Sequence, residues 1–169
     1  MKKLILATIF ALVSLATQAQ TFEEGDLNIS AGIGLGSWYG SSIPVSASVE
    51  YGINENISAG GYIGYLSYNP SWSGNDFRVN ITLIGPRASY HFTDWDTGNW
   101  DLYAGAFAGV AIVSYSNGYR DTWGYTGPGS FRISGYAGGR YNFSDNMAAF
   151  SELGYGIEYL RVGATFKLK

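Results

Sequence analysis

From Asp26 to its end the chain alternates apolar and polar positions with a period of two, in segments separated by turn residues. In the first segment, Asp26 to Gly36, Leu27, Ile29, Ala31, Ile33 and Leu35 share one face, and Asn28, Ser30, Gly32, Gly34 and Gly36 share the other. A helix would scatter both sets around its circumference, so the pattern predicts a strand. The second segment opposes Val45, Ala47, Val49 and Tyr51 to Ser46, Ser48, Glu50 and Gly52, and ends at Asn54-Glu55-Asn56. The third has Ile57, Ala59, Ile63 and Tyr65 in phase, interrupted at Gly61, and loop residues from Asn69 to Asn75 stop it. In the fourth, Phe77, Val79, Ile81 and Leu83 share a face, while Ala88, Tyr90 and Phe92 resume in the opposite parity. The slip falls at Gly85-Pro86 and predicts a β-bulge, because Pro cannot donate to a ladder.

The fifth segment, Leu102 to about Tyr115, is apolar in both parities, so the pattern leaves the facing of Tyr103 and Phe107 open, with Leu102, Ala104, Ala106, Ala108, Val110 and Ile112 as the preferred outward set. The sixth opposes Phe131, Ile133, Ala137, Tyr141 and Phe143 to Arg132, Ser134, Tyr136, Arg140 and Asn142. The seventh sets Met147, Ala149, Leu153 and Tyr155 against Glu152, Gly154 and Gly156, and the eighth sets Leu160, Val162, Ala164, Phe166 and Leu168 against Arg161, Gly163, Thr165 and Lys167. Most of these segments reach the ~9–11 residues that a tilted strand needs to cross a bilayer. They predict an all-β fold, an eight-stranded antiparallel up-and-down barrel.

The composition of the two faces decides which solvent the barrel meets. Glu50, Arg132, Arg140, Glu152, Arg161 and Lys167 share the polar face with many glycines, and the apolar face carries no charge. A soluble barrel would bury the apolar face inside. Exposed to water, that belt would be an aggregation hazard, whereas charges in a closed lumen with the belt in lipid suit a transmembrane β-barrel. Glu50 and Glu152 are then expected to pair with some of Arg132, Arg140 and Arg161 in a filled polar lumen, since an unpaired charge there costs several kcal/mol. Glycines on the lumen face make room for Tyr62, Tyr136 and the arginines.

Such barrels have short periplasmic turns and longer outward loops. Asn54 to Asn56 and Ser144 to Asn146 are then periplasmic. Ser37 to Ser42, Asn69 to Asp76, Ser116 to Ser130 and a tight connection near Ile157-Glu158 face outward, while Thr93 to Asp101 is long for a periplasmic turn. Trp38, Tyr39, Trp72, Tyr119, Trp123 and Tyr125 toward the outward loops, and Trp95 and Trp100 near the opposite end, read as interfacial girdles, with a loop platform for a ligand as the alternative. The third outward loop combines Tyr119, Arg120, Trp123 and Tyr125, flat faces beside a cation, among flexible glycines. It is the candidate recognition surface, suited to a glycan, lipopolysaccharide and other outer-membrane lipid headgroups, or a surface protein.

The first twenty residues follow a different rule. Lys2 and Lys3 precede an apolar run from Leu4 to Ala16 and then Thr17-Gln18-Ala19, the three-part pattern of a secretory signal peptide. About 13 apolar residues at ~1.5 Å each cover only about 20 Å, short of a ~30 Å hydrocarbon core. Cleavage after Ala19, with Ala16 as the alternative, divides the chain into a signal peptide, 1–19, and a barrel domain, 20–169. Removing Lys2 and Lys3 leaves eight basic against thirteen acidic residues, a net charge of −5, so nucleic acid is not an expected partner. Without cysteine there is neither a disulfide nor a thiolate ligand, and no histidine cluster exists to hold a metal. The glycine runs precede no helix, so they are not phosphate loops, and no cofactor is expected.

In the last strand, Arg161, Gly163, Phe166 and Leu168 fall in the order polar, any, Gly, any, any, aromatic, any, hydrophobic. That order resembles the terminal assembly signal of the OmpA/OmpX and opacity-protein group of small outer-membrane barrels, and the likeness covers the whole part after the signal. Lys169 departs from it, since the group commonly ends on an aromatic residue. The resemblance implies a bacterial outer-membrane location, insertion by the barrel-assembly machinery reading those residues, and a structural, adhesive or surface-interaction role. Some eight-stranded barrels of the outer membrane are lipid A deacylases with a Ser-His-Glu set, which makes the single histidine, His91, a candidate base. The orientation puts it at the periplasmic end, away from the outer leaflet, so it is read as an interfacial residue beside Tyr90 and Phe92, and no enzymatic activity is expected. A small channel, a lipid A-modifying enzyme and a soluble ligand-binding barrel are the alternatives; an eight-stranded interior that side chains can fill disfavours a channel.

Overall fold

The computed structural model describes residues 22–37, 42–69, 78–93, 98–116, 130–154 and 156–168. Eight strands follow in order: β1 (Leu27–Leu35), β2 (Val45–Gly52), β3 (Ile57–Tyr68), β4 (Arg78–His91), β5 (Trp100–Ser116), β6 (Ser130–Ser144), β7 (Met147–Gly154) and β8 (Leu160–Leu168). Each pairs antiparallel with the next, and β8 returns to β1 with Leu27 opposite Leu168 and Leu35 opposite Leu160. The sheet is therefore a closed barrel without a free edge.

The alternation in the sequence becomes the two sides of this wall. Ile29, Val49, Ile63, Ile84, Ile112, Leu153 and Phe166 are exposed on the outside, and Ile133 reaches 73% exposure. A broad apolar exterior on a closed barrel is built for hydrocarbon, so the barrel is a transmembrane one. In β5 the even residues face out, while Tyr103, Phe107 and Ala111 are buried inside.

In β4 the structure overturns the expected bulge. The register with β3 runs unbroken from Tyr68 opposite Val79 to Ile57 opposite Tyr90, with Pro86 in place opposite Gly61. Odd residues face the lumen throughout, so Val79, Ile81 and Leu83 are buried inside and Ile84, Pro86 and Tyr90 face outward. A register shift occurs instead between Asn142 and Ser144, beside the β6–β7 turn.

The inward apolar residues of β4 have partners. Leu66, Phe107, Ala111 and Ile157 pack with them, together with Tyr62, Tyr103 and Tyr136, into a core toward one end of the lumen. This is the end of the connections 36–44, 69–77, 117–129 and 155–159, called here the loop end. There β3 and β6 run past the ends of β2 and β7. The opposite, turn end holds the turns 53–56 and 145–146. Bulky lumen rings fit because their cross-strand neighbours lack side chains; a Cβ on Gly105 would lie 2.5 Å from the Tyr136 ring.

Candidate functional site

The polar part of the lumen is a ladder of buried charges. At the turn end, Lys167 Nζ lies 2.8 Å from Asp26 Oδ2, and Phe22 stacks on His91 with ring centroids 3.6 Å apart. One layer further in, His91 contacts Asp101 (Nδ1 to Oδ1, 2.7 Å) and Ser58 (Nε2 to Oγ, 3.0 Å), and Arg140 donates to Asp101 at 2.9 Å. Glu50 accepts from Arg140 at 3.1 Å and from Ser89 at 2.6 Å, and Arg87 Nε lies 3.4 Å away.

Arg87 then bridges to the next carboxylate. It donates to both oxygens of Glu152, at 2.8 and 3.4 Å, with its guanidinium 4.1 Å from the Tyr136 ring centroid. Arg161 stands 4.0 Å from Glu152, over the Phe150 ring, and donates to Ser48 at 3.2 Å. Charges this deep persist where geometry and hydrogen bonds offset desolvation, and the bidentate arginine supplies both.

The loop end is closed by the chain itself. The β7–β8 connection folds inward rather than out, leaving Ile157 wholly buried and Glu158 at 5% exposure. Glu158 accepts from Ser46 Oγ at 2.9 Å and from Tyr62 Oη at 2.9 and 3.0 Å. Burial pushes its carboxyl above the ordinary range, against the pull of those hydroxyls and of Arg161.

Of the residues singled out by parity, Glu50, Arg140, Glu152 and Arg161 thus meet in the lumen. Arg132 does not: it is exposed near the loop end of β6, outside the buried ladder. His91 is not interfacial either; it is wholly buried in the lumen, because the unbroken parity of β4 carries it inward with Arg87 and Ser89. The Ser58-His91-Asp101 contacts have the order of a nucleophile, base and orienting acid. Ser58 and His91 are both 0% exposed beneath Phe22, so an ester from outside cannot reach that hydroxyl in this structure.

Asp26, Arg87, Asp101 and Glu158 are the charged ladder members that sequence reasoning missed: Asp26 opens the first segment, Arg87 lies beside the expected slip, and Asp101 and Glu158 lay in segments read as connections. In the terminal strand, Arg161 points inward, Phe166 and Leu168 face outward, and a Cβ on Gly163 would meet Ala31 O at 2.0 Å. Trp100 faces outward against Tyr141, and Tyr90 against Phe92, in an aromatic band at the turn end. Tyr119, Arg120, Trp123 and Tyr125 lie outside the described residues, as do Trp38, Tyr39, Trp72 and Trp95. Among the described residues no group of three or more His, Asp or Glu could hold a metal ion.

No protein-family model matches the chain, and no curated protein matches its sequence. Solved structures do. OprG from Pseudomonas aeruginosa, an outer membrane protein, aligns over 89% of this chain and 99% of its own with a TM-score of 0.60 at 9% identity. The N-terminal β-barrel domain of Pseudomonas aeruginosa OprF aligns over 87% and 100% with 0.56 at 18% identity. The outer membrane protein Ail of Yersinia pestis, in a phospholipid bilayer nanodisc, aligns over 86% and 100% with 0.50 at 15% identity. The fold is that of the small outer-membrane barrels. Its apolar belt agrees with a barrel wall that faces lipid.

Proposed function

We propose that this protein is a surface barrel of the outer membrane with a structural, adhesive or surface-interaction role, acting through its outward loops rather than through a pore or a catalytic centre. The observation that carries this reading is that its own side chains occlude the lumen at both ends, Phe22 and the Asp26–Lys167 pair at one and Ile157 with Glu158 at the other. A wall constrained by lipid and ladder leaves recognition to the loops. By the length rule the loop end faces outward, and the third loop, with Tyr119, Arg120, Trp123 and Tyr125, is the recognition surface for lipopolysaccharide, another glycan or a surface protein. The signal peptide, residues 1–19, directs export, and the barrel-assembly machinery reads Arg161, Gly163, Phe166 and Leu168 during insertion.

Two measurements test the proposal. In planar bilayers the purified barrel is expected to give no large stable single-channel currents; steady openings would overturn the sealed-lumen reading. Replacing Trp123 and Tyr125 by alanine is expected to leave folding intact and to weaken binding to envelope glycolipid or a surface partner by about 1–2 kcal/mol per anchor. If binding is unchanged, the third loop is only a connection; if the barrel unfolds, those rings belong to its wall or plug.

A further inference from the structure

The in-turned β7–β8 connection puts a carboxylate into a socket made by other elements. Its hydroxyl donors come from β2 (Ser46) and β3 (Tyr62), and the cation comes from β8 (Arg161), whereas Glu158 arrives on the connecting residues 156–159. Arg161 Nε stands 3.9 Å from Glu158 Oε1 and has no hydrogen-bond partner, although the residue is only 2% exposed. Beneath the socket is a cavity of about 30 Å³ lined by Tyr62, Arg87, Phe107, Glu152, Glu158 and Arg161, room for about one water. Two glycines make the seat. A Cβ on Gly34 would lie 2.4 Å from Glu158 Cβ, and one on Gly64 would lie 2.7 Å from Ile157 Cγ2.

We propose that Glu158 is a built-in ligand of a carboxylate-binding site, and that a small monocarboxylate from the outer side takes the same site when the turn lifts. The wall groups stay in place without the turn, because all three belong to laddered strands. Two hydroxyls and a guanidinium are donors to both oxygens of one carboxylate. Glu152, already engaged by Arg87, lines the far side and disfavours a second negative charge. Phe107, also in the lining, and Leu66 in the adjoining core offer an apolar surface to a short tail.

The test uses the full barrel in phosphatidylcholine vesicles, with sodium acetate as probe and sodium chloride at equal ionic strength as control. Glu158→Ala empties the socket, and labelled acetate followed by NMR is expected to bind it saturably, at least about tenfold more tightly than it binds the natural chain, where Glu158 competes. Adding Ser46→Ala or Tyr62→Phe to that variant is expected to weaken acetate binding by about tenfold. An acetate response equal to that of the natural chain, or one that chloride reproduces, overturns the proposal.

A second measurement does not need the Glu158 variant to fold. The chain has no cysteine, so Ser134→Cys, in the cavity lining, gives a single thiol for a charged methanethiosulfonate added outside. Gly34→Ala, which blocks the seat, is expected to raise the modification rate several-fold. An unchanged rate means that the turn does not lift, and the proposal fails.

Discussion

Arg87 holds two carboxylates at once, Glu50 at 3.4 Å and Glu152 at 2.8 Å, while its guanidinium also faces the Tyr136 ring. Its removal would leave both buried acids short of a cation. We expect Arg87→Met to destabilise the barrel by about 3–5 kcal/mol, the usual cost of breaking a buried pair. Arg132 supplies the contrast, since it carries the same charge on the same parity of β6 as Arg140 but is exposed. Arg132→Met should stay within about 0.5 kcal/mol of the natural chain. Urea unfolding in lipid vesicles measures both, and equal losses would mean that depth in the lumen does not set the value of these charges. Parity assigns a face and not a height, which is why the two arginines of β6 look alike in the sequence.

At the scale of the element, β4 is where sequence and structure part. The rule that apolar residues face lipid makes Val79, Ile81 and Leu83 outward and forces a slip at Gly85-Pro86, whereas the ladder keeps its phase and turns them inward onto Leu66 and Phe107. The two arrangements predict opposite accessibilities. Spin labels on cysteines at Thr82 and Ile84 should be relaxed by oxygen dissolved in the bilayer, and one at Ile81 should not; the reverse result would restore the bulge. Strands with one uniformly apolar face and charges on the other, such as β2 and β8, leave no such ambiguity. Where the lumen is itself apolar, alternation loses its meaning, because both faces carry the same kind of side chain. His91 and Arg87 were within reach of the pattern, since Ala88, Tyr90 and Phe92 as the outward set past Gly85-Pro86 already leave the odd residues of that half of β4 facing the lumen. Glu158 was hidden for another reason: a connection has no period, and nothing local distinguishes a turn that folds inward from one that faces solvent.

For the whole molecule, what holds the fold is closure together with a solvent that accepts its exterior. Without cysteine there is no cross-link, and the register from Leu27–Leu168 to Leu35–Leu160 leaves no strand end from which the ladder can fray. The interior cannot serve as an ordinary hydrophobic core, because its apolar cluster lies toward the loop end and much of the remainder is ion pairs whose desolvation offsets much of their attraction. The favourable burial must therefore come from the outside, where Ile29, Val49, Ile63, Ile84, Ile112 and Leu153 meet hydrocarbon. Two consequences follow for the purified chain. It should fold only when detergent or lipid is supplied, and it should migrate differently on a denaturing gel before and after boiling, because a closed ladder resists detergent until heat opens it. Transfer into plain buffer should then produce aggregates, since the belt has no other cover. A chain that stayed monomeric, folded and heat-modifiable in buffer alone would show that some segment of the protein shields this belt, and the lipid-facing assignment of the wall would have to be given up.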